Sequence, residues 1–362
     1  MRAGAIALVF GTRPELVKLA PLAWELGSAA RWIHTGQHPW SGLTEIAADL
    51  GIEPPDFDVT VASPPSGVLG SLVGAVAGVL TKAAPDAVVV QGDTTSTLAG
   101  ALAATKVGLP LIHLEAGLRA FDRRLPEEHH RIVVDHLADL LCAPTPLAAA
   151  QLANEGIAAS RIVVTGNTAV DALHRVLPPP EDRIAIRAEF DLRTDEYAVA
   201  TLHRPENVDD PNTLAMIVAE LRGLPLPVLM PVHPRTFDRA ARAEVELGGG
   251  SIIVTPPLGY RAFLALAADA AFLVTDSGGV QEEASVIGRP AIVVRRSTER
   301  PEVLGTFTTR VDPGPAIGAA AIAILSDLPE LHARLGVLAS PYGTGEARFL
   351  TIAAIERLVE RA

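Results

Sequence analysis

A chain of 362 residues, 49% of them hydrophobic and 20% charged, has the length of two domains of ~100–200 residues each, and its composition excludes a largely disordered protein. A formal net charge of −12 excludes nucleic-acid binding through a broadly basic surface, although a local cluster of Arg, His and helix N-termini can still hold a phosphorylated small ligand. The single cysteine, Cys142, makes neither an internal disulfide nor a thiolate metal site, which fits a reducing compartment.

In chain order, the first apolar run, Ala5–Phe10, is too short for the core of a signal peptide and leads directly into Arg13-Pro14-Glu15. The longest, Gly67–Leu80, falls short of the ~20 residues of a membrane span and reads as a buried helix. A cytoplasmic protein without a nucleic-acid or membrane partner is expected. Short apolar runs then alternate with segments of helical spacing: Ile6–Phe10 and Pro14–Leu26, Ala87–Gln91 and Thr94–Thr105, then Pro110–Leu114. A second series of strands is expected at Tyr197–Leu202, Val228–Val232, Ser251–Thr255, Ala271–Thr275 and Ala291–Val294. Between the series the prolines of Val176–Asp182 argue against helix or central strand and mark a linker. The expected fold class is α/β: two doubly wound Rossmann-like domains, 1–174 and 175–345, facing a central cleft, with a last helix, 346–362, packing back on the first domain.

No G-x-G-x-x-G follows a strand, so a dinucleotide cofactor is not supported. Two other strand-to-helix junctions suit an anion. In Gly11-Thr12-Arg13-Pro14-Glu15 the glycine permits a tight turn and Arg13 sits at the helix start. In Thr275-Asp276-Ser277-Gly278-Gly279-Val280-Gln281-Glu282-Glu283 the paired glycines let a phosphate approach backbone N–H groups, and a glutamate one turn on can hold sugar hydroxyls. An ordinary Gly-rich loop with an acidic first turn explains the same residues. Three acids stand at or beyond strand ends or at a helix start: Asp93, which also reads as an N-cap, Glu115, and Glu127 beside Glu128. Each alone has a structural explanation; together they can supply a general acid and a general base in one crevice. Arg131 lies one turn after Glu127 and can pair with it. His203-Arg204 and His233-Pro234-Arg235 each put a His and an Arg after a strand. No H-x-x-x-H or H-E-x-x-H spacing supports a metal, and contacts to a diphosphate fit these residues better.

Taken together, these segments, with Gly92-Asp93-Thr94-Thr95, His113-Leu114-Glu115-Ala116-Gly117-Leu118-Arg119, Pro126-Glu127-Glu128, Gly166-Asn167-Thr168 and His203-Arg204-Pro205-Glu206-Asn207, resemble the non-hydrolysing UDP-N-acetylglucosamine 2-epimerases, in family order over nearly the whole chain. The resemblance implies a GT-B architecture, a homodimer, no dissociable cofactor, no metal and a UDP-N-acetylhexosamine substrate. It implies acid/base chemistry from Asp93, Glu115 and Glu127, and Arg13, Lys18, Arg131 and His203 around sugar and diphosphate; His203 is also counted with the catalytic group, and His233 with the substrate-binding one. Ser277, Gly278, Gly279 and Glu283 would hold phosphate and ribose, and Gln37 and His38 would form a regulatory substrate site. The chain departs from the family pattern twice: His130 stands where Asn is usual before the Arg of the Pro-Glu-Glu motif, and Pro39-Trp40 follows His38 where charged residues and Met are usual. The competing activities are a hydrolysing 2-epimerase that releases UDP and N-acetylmannosamine, and a GT-B glycosyltransferase using the same donor.

Overall fold

The structure, a computed structural model, describes residues 4–59, 61 and 67–361. The chain divides into two compact units, Met1–Arg175 with Tyr342–Ala362, and Val176–Pro341. The first is built on strands β1 (Ile6–Phe10), β2 (Ala30–His34), β3 (Phe57–Asp58), β4 (Ala87–Gln91), β5 (Leu111–Leu114), β6 (Leu140–Ala143) and β7 (Ile162–Val164), in the spatial order β3-β2-β1-β4-β5-β6-β7. Every pairing in it is parallel. Strands β1 and β4 are buried at every position, which is why they read as continuous apolar runs rather than alternating ones. The Thr95–Val107 helix lies directly over them: a Cβ at Gly100 would come within 2.9 Å of Val90 and 3.0 Å of Val9. The last helix, Ala347–Val359, belongs to this unit, with Arg348 paired to Glu25 at 2.9 Å and Asp171 at 3.0 Å.

The second unit carries β8 (Ala198–Thr201), β9 (Val228–Pro231), β10 (Ile252–Thr255), β11 (Phe272–Thr275), β12 (Ala291–Val294) and β13 (Thr308–Val311), in the order β10-β9-β8-β11-β12-β13, again wholly parallel. Both units are therefore doubly wound. In each, chain order reverses beside the first strand, between β1 and β4 and between β8 and β11, and ligands of such sheets bind outside the carboxyl ends of the strands at that point.

Several sequence expectations are corrected. The proline run does not exclude a helix: Pro179 is the N-cap and Pro180 the first residue of helix Pro180–Ala188, where a missing N–H costs nothing. The Gly67–Leu80 segment becomes helix Val68–Ala83, but it is only half covered, with Leu72, Val76, Ala77 and Leu80 buried and Gly70, Gly74 and Gly78 exposed. Strands β2, β3, β7 and β13 lack a clear strand pattern because they are two or three residues long or carry Arg, His and Asp among their apolar residues; β6, Leu-Leu-Cys-Ala, is an apolar run that the expectation did not include. Among the described residues no single helix is long and apolar enough to cross a membrane.

Candidate active site

In the first unit the turn after β1 is held by Glu15. This fully buried carboxylate accepts the Gly11 and Thr12 amides at 2.9 and 2.8 Å and the Thr94 and Thr97 hydroxyls at 2.6 and 2.9 Å. Burial raises its pKa, and these hydrogen bonds only partly oppose the shift. Glu15 thereby ties the β1 turn to the β4 turn, which carries Asp93. Glu115, at the end of the neighbouring β5, is buried and accepts Lys18 Nζ at 2.6 Å, Asn167 Nδ2 at 3.3 Å and the Gln91 amide. It adopts a left-handed backbone, φ 66°, which a glutamate takes only where its surroundings enforce it. The two turns lie close, since a Cβ on Gly92 would stand 3.9 Å from Glu115 Oε2. Arg131, from helix Pro126–Leu137, pairs with both Asp93 and Glu128. Glu128 in turn accepts the amides of Ala120 and Phe121 at 3.0 and 2.9 Å.

Behind these acids lies a buried network. His113 touches Asp135 through Nδ1 at 2.7 Å and the Gly92 carbonyl through Nε2 at 2.8 Å. Asp135 also meets Arg119 at 2.7 Å, and Arg119 is bidentate on Glu155. Burial alone would raise the Asp135 pKa, but His113 and Arg119 outweigh it and hold the pKa below the usual carboxylate value. Cys142 is remote from solvent; burial pushes its thiol up to about 12, so it is no nucleophile.

In the second unit Asp276 is fully buried at the end of β11. It accepts the backbone N–H of His203 at 3.0 Å, that of Arg204 at 2.9 Å and the Asn207 amide at 3.0 Å, and it faces His203 Nδ1 at 3.0 Å. Burial would raise its pKa; the His203 ring and these N–H groups reverse that and lower it. Asp276 therefore orients His203, whose Nε2 has no hydrogen-bond partner among the described residues. Ser277 caps helix Gly278–Ile287. A Cβ on Gly278 would lie 2.8 Å from Glu299, itself bound to Arg295 at 2.8 Å, whereas one on Gly279 would meet only Ser277 Oγ at 3.8 Å.

Over residues 26–356 the chain matches the sequence family described as UDP-N-acetylglucosamine 2-epimerase. The chain belongs to this family. It is 39% identical to the UDP-N-acetylglucosamine 2-epimerase of Methanocaldococcus jannaschii over 83% of this chain and 86% of that protein. It is also 36% identical to the UDP-2,3-diacetamido-2,3-dideoxy-D-glucuronate 2-epimerase of Pseudomonas aeruginosa, over 83% of this chain and 85% of that one. The crystal structure of the M. jannaschii UDP-GlcNAc 2-epimerase in complex with UDP-GlcNAc and UDP superposes with a TM-score of 0.86 at 34% identity, covering 100% of each chain.

As a member of the epimerase family, the chain brings Asp93, Glu115, Lys18 and Arg131 together in the first unit. Glu127 and Arg13 are both half-buried, and neither side chain has an ion pair or hydrogen bond among the described residues. The expected Glu127–Arg131 pair is corrected to Glu128–Arg131, and the expected N-cap Asp93 to Thr94, whose hydroxyl accepts the Thr97 amide at 3.1 Å. His233 Nδ1 accepts the Arg235 amide at 3.2 Å and its ring lies 6.1 Å from that of His203, but Arg235 itself pairs with Asp209 rather than standing ready for a phosphate. Of the paired glutamates, Glu282 is buried against Arg300 while Glu283 is half-buried. Gln37 accepts the Ser96 amide and hydroxyl at 3.1 and 2.7 Å, and with Thr95 and His130 it lines a cavity of about 470 Å³. Trp40, which follows His38 where charged residues and Met are usual, packs against Phe10 and His34. Among the described residues no group of three or more His, Cys, Asp or Glu is placed to hold a metal. Sequence reasoning missed Asp276, Glu15 and His113; the position of Asp276 directly after an apolar run was the available signal.

Proposed function

We propose that the chain interconverts UDP-N-acetylglucosamine and UDP-N-acetylmannosamine by inversion at C2. The observation that carries this reading is the placement of Asp93 and Glu115 at the carboxyl ends of adjacent strands β4 and β5, each held by a cation from another element. The C2–H of the sugar is not next to a carbonyl, so enolisation cannot make it acidic. Loss of that proton to a carboxylate, with cleavage of C1–O and departure of the electron pair on the UDP oxygen, leaves a C1=C2 double bond. Delivery of a proton to C2 from the opposite face and return of the same UDP oxygen to C1 complete the inversion. Carboxylates near C1 and C2 move the protons and stabilise oxocarbenium character. Asp93, Glu115 and Glu127 take those roles, with Lys18, Arg13 and Arg131 on the sugar side. The second unit supplies the nucleotide site: Ser277, Gly278 and Gly279 open a helix towards phosphate, Glu283 takes ribose, and His203, oriented by Asp276, and His233 stabilise the departing diphosphate.

Incubating the protein with UDP-N-acetylglucosamine alone, and following products by NMR in D₂O, tests this. Formation of UDP-N-acetylmannosamine with deuterium at C2 supports it. Net release of UDP supports a hydrolysing enzyme instead, and no change without an acceptor leaves a transferase. The similarity to the P. aeruginosa relative gives a second substrate to compare, UDP-2,3-diacetamido-2,3-dideoxy-D-glucuronate, to which the same C1–C2 chemistry applies; the higher kcat/KM names the substrate.

A further inference from the structure

We propose that two histidines, His113 and His130, clamp consecutive carbonyls of the Gly92–Asp93 turn and so position Asp93 for its part in the proposed epimerisation, on which this inference rests. His113, from β5, meets the Gly92 carbonyl through Nε2 at 2.8 Å, and His130, from helix Pro126–Leu137, meets the Asp93 carbonyl through Nδ1 at 2.8 Å. The next residue on the same helix, Arg131, holds the Asp93 carboxylate. The carbonyl and carboxylate of Asp93 are thus both held from helix Pro126–Leu137 and the preceding carbonyl from β5, around a Gly92 with φ 75° whose N–H donates to the Leu114 carbonyl at 3.1 Å.

The chemistry of the rings distinguishes the two members. A carbonyl only accepts, so His130 must carry hydrogen on Nδ1, and this bond needs nothing from its Nε2. The asparagine usual in the family at this position carries its amide nitrogen where histidine carries Nδ1, so the departure noted in the sequence preserves the donor. His113 faces an acceptor at each nitrogen, the Gly92 carbonyl and the Asp135 carboxylate, and both bonds form only when both nitrogens donate. Its ring is wholly buried, and Asp135, held also by Arg119 and the Gly117 amide at 3.2 Å, fixes the ring in place. Asn reproduces the Nδ1 end of histidine and Gln the Nε2 end.

This predicts a crossed pattern. His130→Asn keeps turnover within a few-fold of the wild type, whereas His130→Gln lowers kcat about 10- to 100-fold, the cost of displacing a reacting group by a fraction of an ångström to an ångström. At position 113 the order reverses: His113→Gln retains the hold on Gly92 and loses less kcat than His113→Asn. UDP affinity, measured by calorimetry, is unchanged in all four. On ¹⁵N-labelled wild type, NMR shows His130 protonated at Nδ1 and His113 protonated at both nitrogens. Equal effects of Asn and Gln at either position, or a His130 ring without a proton on Nδ1, would overturn the clamp. Absence of C2 inversion in the wild type overturns the proposed function instead, and the NMR signature then still decides whether the clamp exists.

Discussion

Glu115→Gln separates what Glu115 does for the fold from what it does for the reaction. Lys18 Nζ, Asn167 Nδ2 and Gln91 Nε2 all donate to this carboxylate. A glutamine has one acceptor oxygen, so its least costly placement keeps the oxygen towards Lys18 and requires the Gln91 amide to turn over. What remains is a buried ammonium that has lost the charge of Glu115. Removing one member of a buried pair costs about 3–5 kcal/mol, and the retained hydrogen bond to the amide oxygen offsets about 1–2 kcal/mol of that, leaving about 2–3 kcal/mol. For a unit of roughly 150–250 residues that lowers the unfolding midpoint by about 4–12 °C. The catalytic loss is larger and separate: a general acid or base contributes ~10²- to 10⁴-fold in rate. Calorimetric scans, UDP titration and NMR turnover on one preparation read the three quantities apart, with UDP affinity unchanged. The double variant Glu115→Gln/Lys18→Met, which buries neither charge, recovers most of the stability and none of the turnover. Turnover of Glu115→Gln within about threefold of the wild type would remove this residue from the chemistry. A double variant less stable than either single one would refute the pair argument.

Gly279→Ala, where the added methyl meets only Ser277 Oγ at 3.8 Å, should fold as the wild type and bind UDP more weakly by calorimetry; Gly278→Ala, 2.8 Å from Glu299, should lose thermal stability as well. Unchanged UDP affinity in Gly279→Ala would move the phosphate elsewhere. The Asp135 pKa is lowered in the folded state, so its contribution is present above the unfolded value of 3.8 and is lost as pH falls below it; thermal scans from pH 6 to pH 3 should show a shallower acid limb in Asp135→Asn than in the wild type. With Pro39-Trp40 in place of charged residues after His38, UDP-N-acetylmannosamine should be converted in the reverse direction without added UDP-N-acetylglucosamine; an absolute requirement for a trace of the latter would contradict this.

The doubly wound class was legible because β1, β4, β11 and β12 are buried at every position and therefore apolar but for Gln91 and Thr275 at the strand ends. β2 was not, since Ala-Arg-Trp-Ile-His carries polar residues that the structure uses elsewhere, His34 on the His38 carbonyl at 3.0 Å among them. The positions of Asp93 and Glu115 at strand ends were readable from spacing. Their partners were not, because Lys18 and Asn167 reach Glu115 across 97 and 52 residues of chain. The left-handed backbone of Glu115 leaves no mark in composition at all.

The choice between adjacent acids shows most clearly what a sequence leaves open. Arg131 stands four residues after Glu127 and three after Glu128, and both spacings put a carboxylate within reach on a helix. The amides of Ala120 and Phe121 decide between them: they fall on Glu128, draw it into the interior and complete its pairing with Arg131. Glu127 is left half-buried and without an ion pair among the described residues, so its carboxylate is not committed to the fold. In the second unit Glu282 is buried against Arg300 and Glu283 is half-buried. A carboxylate already bound by buried N–H groups and a guanidinium cannot give up those bonds to a substrate without a large cost. In the Glu127–Glu128 doublet the fold therefore takes Glu128 for its own support, which leaves Glu127 as the acid proposed for the chemistry.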